Sequence, residues 1–248
     1  MIRFILVAAT VVLFLILSIP FLVVLNLIGK KNRRIRDEKS IAAVRWIFRI
    51  ILSLAGVKIT VKGKEKIPQD QAVLYVGNHR SYFDILVGYT TVPGLMGFVA
   101  KKEMEKIPLL SSWMRNVNCL FLDRHNLKEG LKTILAGIDS VKRGTSVWIF
   151  PEGTRNRNEE ITELMDFKEG SLKIAEKSGC LVVPVAMSGT AEIFEQHFPF
   201  MRPSKVTIEF GDPFLLKELE PDNKKFPGAY VKKQIENMLI EERLARKS

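Results

Sequence analysis

Twenty-six consecutive uncharged residues near the N-terminus constrain this chain more than any other feature. They lie between Arg3 and Lys30 and read FILVAATVVLFLILSIPFLVVLNLIG. As one helix the stretch would be about 39 Å long, which exceeds the ~30 Å hydrocarbon core of a bilayer. It is longer than the apolar region of a secretory signal peptide, and no small-residue cleavage site follows it. We therefore expect residues 1–55 to form an N-terminal membrane anchor.

A basic cluster follows the apolar stretch directly. The sequence KKNRRIR places five Lys and Arg residues within the seven positions 30–36. Such clusters favour the cytoplasmic side of a membrane and attract anionic headgroups, at about 1 kcal/mol per basic residue. We therefore expect the rest of the chain to lie on the cytoplasmic face of the membrane, in contact with phospholipids.

The sequence leaves the geometry of the anchor open. Pro20 lies inside the apolar run and is able to kink it. In residues 41–54, Arg45 and Arg49 share one face among apolar residues, which is typical of an interfacial amphipathic helix. The first segment either spans the bilayer or forms with the second a hairpin that dips into one leaflet. Alternatively, residues 41–54 are a core helix of the domain that follows.

From Val57 onward, short β-branched runs alternate with helical patterns. The predicted strands are 57–63, 72–77, 95–100, 119–123, 146–150, 181–186 and 205–211, and the predicted helices are 81–91, 108–116, 127–143, 168–178 and 228–246. Several of the strands are continuously apolar, as expected where helices cover both faces of a sheet. The alternation predicts one α/β domain over residues 56–248, with a single largely parallel central sheet flanked by helices. Pro184 predicts an edge position or a bulge in its strand.

Charge and composition narrow the classes of function. The chain has 38 Lys and Arg against 27 Asp and Glu, a net charge of +11, which favours an anionic partner. We expect no nucleic acid as that partner, because no aromatic RNA-binding block or zinc finger accompanies the charge. Two cysteines 61 residues apart exclude a disulfide scaffold and a four-cysteine zinc site, and no other spacing predicts a metal.

The sequence NHRSYFD, residues 78–84, directly follows the predicted strand 72–77. His79 and Asp84 are five residues apart, and they converge if His79 lies in the turn before the helix. A carboxylate bound to one ring nitrogen leaves the other nitrogen free as a general base. The same residues fit a helix-capping box, with Ser81 as N-cap and Asp84 three residues later. This segment alone does not separate the two interpretations.

Three further polar segments also follow predicted strands. They are the lysines at 101–102, CLFLDRHN at 119–126 and FPEGTR at 150–155. Arg124 and Arg155 offer planar guanidinium donors suited to phosphate, although each segment also fits an ordinary solvated turn. Ligands of open α/β sheets bind beyond the carboxyl ends of the strands, so the shared position of these segments predicts one site.

Together these segments resemble the glycerolipid acyltransferase family, and within it the 1-acylglycerol-3-phosphate acyltransferases. The family's NHxSxxD block matches residues 78–84, its FPEGTR block matches 150–155, and its V-P-V block matches 183–185. In its G-x-x-F-x-D-R block the glycine position holds Asn118, whereas Phe121, Asp123 and Arg124 match. The resemblance covers roughly residues 72–190.

The resemblance implies that a fatty acyl group passes from a thioester to the sn-2 hydroxyl of lysophosphatidic acid, giving phosphatidic acid in phospholipid biosynthesis. His79 would be the general base and Asp84 would orient it, without a covalent acyl-enzyme. The donor would be acyl-CoA or acyl carrier protein, and neither a cofactor nor a metal is implied. The residues that the resemblance and their side-chain chemistry assign to acceptor binding are Lys101, Arg124, Glu152, Gly153, Thr154 and Arg155.

A rival interpretation is a non-catalytic membrane protein that binds or transfers anionic lipids. It explains the anchor and the charge, but it gives His79 and Asp84 no function. Neither interpretation yields the acyl-chain length or the oligomeric state.

Overall fold

Seven strands form one sheet in this computed structural model, which describes residues 1–247. The strands are β1 (Lys58–Lys62), β2 (Leu74–Gly77), β3 (Met96–Lys101), β4 (Leu120–Leu122), β5 (Ser146–Ile149), β6 (Val182–Ser188) and β7 (Lys205–Phe210). Their order is β1-β7-β6-β2-β5-β3-β4, and only the β6–β7 pair is antiparallel. The predicted largely parallel sheet is confirmed. The predicted second domain ends at Ser248, which lies outside the described residues.

Within residues 1–247, nine α-helices accompany the sheet. They are α1 (Ile2–Leu17), α2 (Ile19–Lys31), α3 (Arg33–Ala55), α4 (Phe83–Thr91), α5 (Leu110–Asn116), α6 (Leu127–Lys142), α7 (Lys173–Ser178), α8 (Pro221–Lys225) and α9 (Pro227–Lys247). Each predicted helix corresponds to one of them, with ends that differ by one or two residues, except that Glu169–Leu172 of the predicted helix 168–178 form a 3-10 helical turn before α7.

The hydrophobic core lies on both faces of the sheet. On one face, Tyr75, Phe98 and Trp148 pack with apolar side chains of α1 to α5. On the other face, Leu74 and Val182 pack with α6, α7 and α9. Every residue of β2, β5 and β6 is buried, which explains why these strands appear in the sequence as continuous apolar runs.

The long apolar stretch divides at Ser18 into α1 and α2, which are bent by 51° relative to each other. Pro20 lies in the first turn of α2, where its missing N–H breaks no helical hydrogen bond. The Ser18 hydroxyl accepts a 3.0 Å hydrogen bond from Trp113 Nε1, which ties the bend to α5. No single helix in residues 1–247 is both long and apolar enough to cross a membrane, whereas α1 and α2 together are, as a bent pair.

Helix α3 packs its apolar face on the α/β domain. Ile47 and Ile51 are buried in the core cluster on that face of the sheet, whereas Trp46 and Arg49 are exposed. The guanidinium of Arg45 donates to the backbone carbonyls of Tyr89, Val92 and Gly94, at the end of α4. Residues 41–54 therefore form an amphipathic helix whose buried side belongs to the core of the domain.

Strand β6, which contains Pro184, is an interior strand, so the predicted edge position is wrong. The ladder between β6 and β7 reaches only Val185, and a single bridge between Val182 and Phe214 lies beyond it. The missing N–H of Pro184 falls in this gap, while its carbonyl accepts from Gly211 N at 2.8 Å. A break in the neighbouring chain thus lets proline occupy an interior strand.

Candidate active site

The turn between β2 and α4 brings His79 and Asp84 together. His79 Nδ1 lies 2.8 Å from Asp84 Oδ2, and because a carboxylate only accepts, Nδ1 carries the proton. The same oxygen accepts from the backbone N–H groups of Arg80 and Ser81, each at 2.8 Å. One buried carboxylate thus holds the turn before α4 and orients the imidazole. The capping box predicted with Ser81 as N-cap is not formed, because the N-cap of α4 is Tyr82 and has no side-chain capping bond, although Asp84 does accept from Ser81 N.

The His79 ring is held flat and leaves one nitrogen accessible. It stacks on Phe150, with 4.1 Å between ring centroids and 10° between planes. The side chain keeps 16% of its surface exposed, and no residue of the described chain forms a hydrogen bond with Nε2. This fixed tautomer presents a nitrogen lone pair toward solvent, as a general base requires.

Glu152, in the turn after β5, fixes the backbone that carries His79. Its buried carboxylate accepts from His79 N at 2.8 Å and from Met165 N at 3.0 Å. Burial raises the pKa of Glu152, although these hydrogen bonds oppose the rise. Asn156 N also donates to His79 O at 2.7 Å. The sequence predicts that Glu152 lines the acceptor pocket, whereas in the structure both of its carboxylate oxygens accept from backbone N–H groups.

Arg155 belongs to the same cluster through Tyr82 and Glu195. Its guanidinium stacks on the Tyr82 ring at 3.8 Å, and it donates to Tyr82 OH at 3.1 Å and to Glu195 Oε1 at 3.2 Å. Glu195 also accepts from Ser81 Oγ at 2.7 Å and from Tyr82 N at 2.8 Å. Sequence reasoning missed Glu195, because it lies beyond the family blocks and only the folded loop after β6 brings it here.

Gly153 and Thr154 form the tip of the turn after β5. Gly153 adopts a φ of +77°, a conformation that favours glycine, and a Cβ there would approach Lys168 Nζ to 3.0 Å. Thr154 is exposed beside it. The turn therefore exposes Thr154 at the edge of the sheet where His79 lies.

Lys101 and Arg124 lie farther along the same edge, at the ends of β3 and β4. Strand β4 is three positions from β2, or roughly 14 Å at ~4.8 Å per strand. Both side chains are exposed, and neither forms a hydrogen bond or ion pair with another described residue. The structure thus joins His79, Asp84 and Arg155 in one bonded cluster and leaves these two cations apart from it.

Asn118, which stands where the family block has glycine, lies in the turn before β4. It adopts a φ of +59°, in the left-handed region that asparagine tolerates better than most residues. Its side chain donates to Asp37 Oδ2 at 3.0 Å and accepts from Arg33 at 3.1 Å. The asparagine thus links this turn to the N-terminal part of α3.

Comparison with known proteins adds an independent line of support. The sequence profile of the acyltransferase family matches residues 58–188, more than half of the chain. A 1-acyl-sn-glycerol-3-phosphate acyltransferase of Borreliella burgdorferi is 32% identical over 187 residues, which cover 74% of each protein. A protein of the same name from Haemophilus influenzae is 29% identical over 215 residues, covering 84% of this chain and 85% of that protein.

The fold has a solved counterpart. The crystal structure of PlsC, the 1-acyl-sn-glycerophosphate acyltransferase of Thermotoga maritima, aligns with a TM-score of 0.81 at 23% identity. The alignment covers 98% of this chain and 95% of that one, so the two share their fold, N-terminal helices included. The profile match contains both His79 and Arg155, and with the identity to the bacterial relatives it shows that this chain belongs to the acyltransferase family and is an acyltransferase.

Proposed function

We propose that this enzyme transfers a fatty acyl group from an acyl thioester to the sn-2 hydroxyl of 1-acylglycerol 3-phosphate, giving phosphatidic acid. The observation that carries the proposal is the 2.8 Å contact between His79 Nδ1 and Asp84 Oδ2, with Nε2 accessible. The names of the relatives support this acceptor.

The chemistry needs one base and no covalent intermediate on the protein. The sn-2 hydroxyl donates to His79 Nε2, which removes its proton as the oxygen attacks the thioester carbonyl carbon. The new C–O bond forms, the C–S bond breaks, and the proton returns from His79 to the departing thiolate. Asp84 stabilises the imidazolium that exists between these two proton transfers, because its carboxylate faces Nδ1–H.

Acceptor recognition falls to the exposed cations of the same edge. Lys101 and Arg124 form no ion pair with a described side chain, although the charge of Glu103 acts on Arg124, so a phosphate monoester would gain their attraction without breaking an existing ion pair. Arg155 is held by Glu195 and Tyr82 and would contribute a fixed third donor close to His79. The exposed Thr154 and the turn at Gly153 would line the space between them.

We place α1 and α2 in a membrane, where acceptor and product reside, with the rest of the chain on the cytoplasmic face. Many of their apolar side chains are exposed, among them Ile2, Leu13, Leu17, Val23 and Leu27. The basic residues 30–36 at the end of α2 and the start of α3 suit anionic headgroups on the same side. The 51° bend fits a dip into one leaflet and also a broken span. In either case the thioester donor, acyl-CoA or acyl carrier protein, approaches from the cytosol.

Thiol release tests the proposal directly. Purified protein in detergent receives palmitoyl-CoA with and without lysophosphatidic acid, a colorimetric reagent follows free thiol, and mass spectrometry follows phosphatidic acid. We expect acceptor-dependent thiol release that His79→Ala lowers by 10²–10⁴-fold. His125→Ala is the matched control, because that histidine is exposed in the loop before α6.

Two outcomes would count against the proposal. If neither acyl-CoA nor acyl carrier protein supports release with lysophosphatidic acid, the acceptor is wrong. If acceptor-dependent thiol release occurs and His79→Ala matches the wild type, His79 is not the general base.

A further inference from the structure

The loop between β6 and β7 carries two exposed aromatic rings that the proposed reaction does not use. Residues 194–200 read FEQHFPF, and we call this segment the aromatic loop. Phe198 is 73% exposed and Phe200 is 48% exposed. Two phenyl rings within three residues form an apolar tip that water solvates poorly, which is typical of a contact surface.

The aromatic loop is anchored on α1. The ring of Phe194 stacks on Phe4 of that helix, with 5.5 Å between centroids and 11° between planes. Phe198 in turn packs edge-on against Phe194 at 5.5 Å. The exposed ring of Phe198 therefore continues the apolar surface that α1 presents through Ile2 and Ile5, and exposed Phe200 lies two residues further along the loop.

The inner side of the aromatic loop contacts the active site. Glu195 binds the hydroxyl of Ser81, the backbone N–H of Tyr82 and the guanidinium of Arg155. Glu195 directly follows Phe194 in sequence. One short segment thus joins α1 to the turn that carries His79.

Charge next to the aromatic loop favours a lipid surface as its partner. The exposed cations Arg202 and Lys205 follow the loop. Lys58, also exposed, lies opposite Lys205 in the register of the neighbouring strands β1 and β7. Aromatic rings beside basic side chains suit the boundary between acyl chains and anionic headgroups. The continuity with α1 favours the same partner, because an apolar helix and an apolar loop side by side can enter one interface.

We infer that the aromatic loop is a second lipid-contacting element, which inserts Phe198 and Phe200 into the bilayer interface beside α1. This inference rests on the proposed function, in which the acceptor is a membrane lipid. The loop sets the height of the active site above the lipid, because Glu195 links it to Ser81 and Arg155. An acceptor leaving the bilayer would then meet His79 close to the membrane surface.

Spin-label accessibility tests the contact without any turnover. Phe198→Cys is labelled in a Cys119→Ala/Cys180→Ala background and reconstituted in vesicles of phosphatidylethanolamine and phosphatidylglycerol. Lys233→Cys, exposed on α9 over the opposite face of the sheet, is the matched control. We expect the label at 198 to collide more with oxygen and at least threefold less with a water-soluble nickel complex than the label at 233. Equal nickel accessibility at the two sites, or spin–spin broadening from a second copy of the chain, would overturn the inference.

Kinetics with two forms of acceptor test the consequence. Phe198→Ser/Phe200→Ser is expected to lose about tenfold in kcat/KM toward lysophosphatidic acid presented in vesicles. It should lose less than twofold toward a short-chain acceptor that stays monomeric in water, and Phe198→Trp/Phe200→Trp should retain both activities. Equal losses with both acceptors would indicate a structural role only, and no loss with either would also overturn the inference. If the wild type transferred acyl groups to neither acceptor, the proposed function would fail, whereas the spin-label result would still stand.

Discussion

The two halves of the active-site edge are built differently. At the ends of β2, β5 and β6, hydrogen bonds join His79, Asp84, Glu152, Arg155 and Glu195 into one cluster. At the ends of β3 and β4 lie two exposed cations, Lys101 and Arg124, which form no hydrogen bond or ion pair with a described side chain, although the charge of Glu103 acts on Arg124. We call these the bonded half and the open half.

The difference separates two tasks. Proton transfer needs a base whose tautomer and direction are set before the substrate arrives, and the bonded half provides this through fixed contacts. Attraction of a phosphate needs positive charge more than a fixed geometry, and exposed cations supply it. We therefore expect changes in the bonded half to act mainly on kcat and changes in the open half mainly on the KM of the acceptor.

The largest effect is expected from Asp84→Asn. The amide does not stabilise an imidazolium as a carboxylate does, and it satisfies fewer of the three N–H groups that now share Oδ2. We expect kcat to fall by 10²–10⁴-fold with the acceptor KM within threefold, as measured by acceptor saturation in the thiol-release assay. Asp123→Asn, a carboxylate of the open half, is the matched control. A KM effect in Asp84→Asn without loss of kcat would break the distinction between the halves.

A smaller effect is expected from Glu152→Gln, which tests whether backbone positioning matters to the bonded half. The glutamine oxygen can replace one acceptor, but its NH₂ group would face the backbone N–H of His79 or Met165. We expect the free energy of unfolding, measured in denaturant, to fall by about 1–3 kcal/mol. We also expect kcat to fall by about tenfold. Unchanged kcat in a destabilised variant would limit Glu152 to a structural role.

In the open half, Lys101→Ala and Arg124→Ala are each expected to raise the acceptor KM by about tenfold, since each removes one cation near the phosphate. We expect kcat to stay within twofold. Because exposed charges are screened by salt, the acceptor KM of the wild type should also rise when NaCl is increased from 50 to 500 mM. The acceptor KM of the two variants should rise less. A salt-independent KM would contradict an electrostatic role for this half.

The smallest effect on activity is expected at Glu242 of α9, outside both halves. Burial alone would raise the pKa of this carboxyl, but hydrogen bonds from Lys62, Thr207 and Arg246 lower it to about 2. A lowered pKa stabilises the fold above the ordinary value of 4.5, and this contribution is lost as pH falls from there toward about 2.

We therefore expect Glu242→Gln to lower the free energy of unfolding at pH 7 by up to about 3 kcal/mol while kcat stays within twofold. The wild-type advantage should shrink below pH 4.5, as followed by thermal unfolding at each pH. A strong loss of kcat would mean that general stability, and not the bonded half, governs turnover.

The sequence predicted the fold well because the central strands are buried along their whole length and therefore consist mostly of apolar residues. The buried runs of β2, β5 and β6 are apolar throughout, and helical patterns separate them, so few other architectures fit. Of the two alternatives predicted for Pro184, the edge position is wrong, whereas the β6–β7 ladder is interrupted beside this proline, with the extra residue in the chain after β7.

The candidate site was predicted only in part, for a similar reason. Residues that follow strands reach one edge by topology alone, which is how His79 and Arg155 come together. Glu195 reaches the cluster from the middle of a loop, and the partners of Glu152 are backbone groups, so no linear pattern marks either role. Which cations lie near His79 and which lie apart from it depends on the order of the strands in the sheet. The sequence alone does not specify that order.

The most direct test of the bonded half is the tautomer of His79. The chain has three histidines, so ¹⁵N-histidine labelling gives few ring signals, and His79→Ala assigns those of interest. At pH 8 in detergent, we expect His79 to carry its proton on Nδ1 and a bare lone pair on Nε2, because Asp84 accepts from Nδ1. A His79 signal with the proton on Nε2 would contradict the account, since that nitrogen could not then accept the proton of the acceptor hydroxyl.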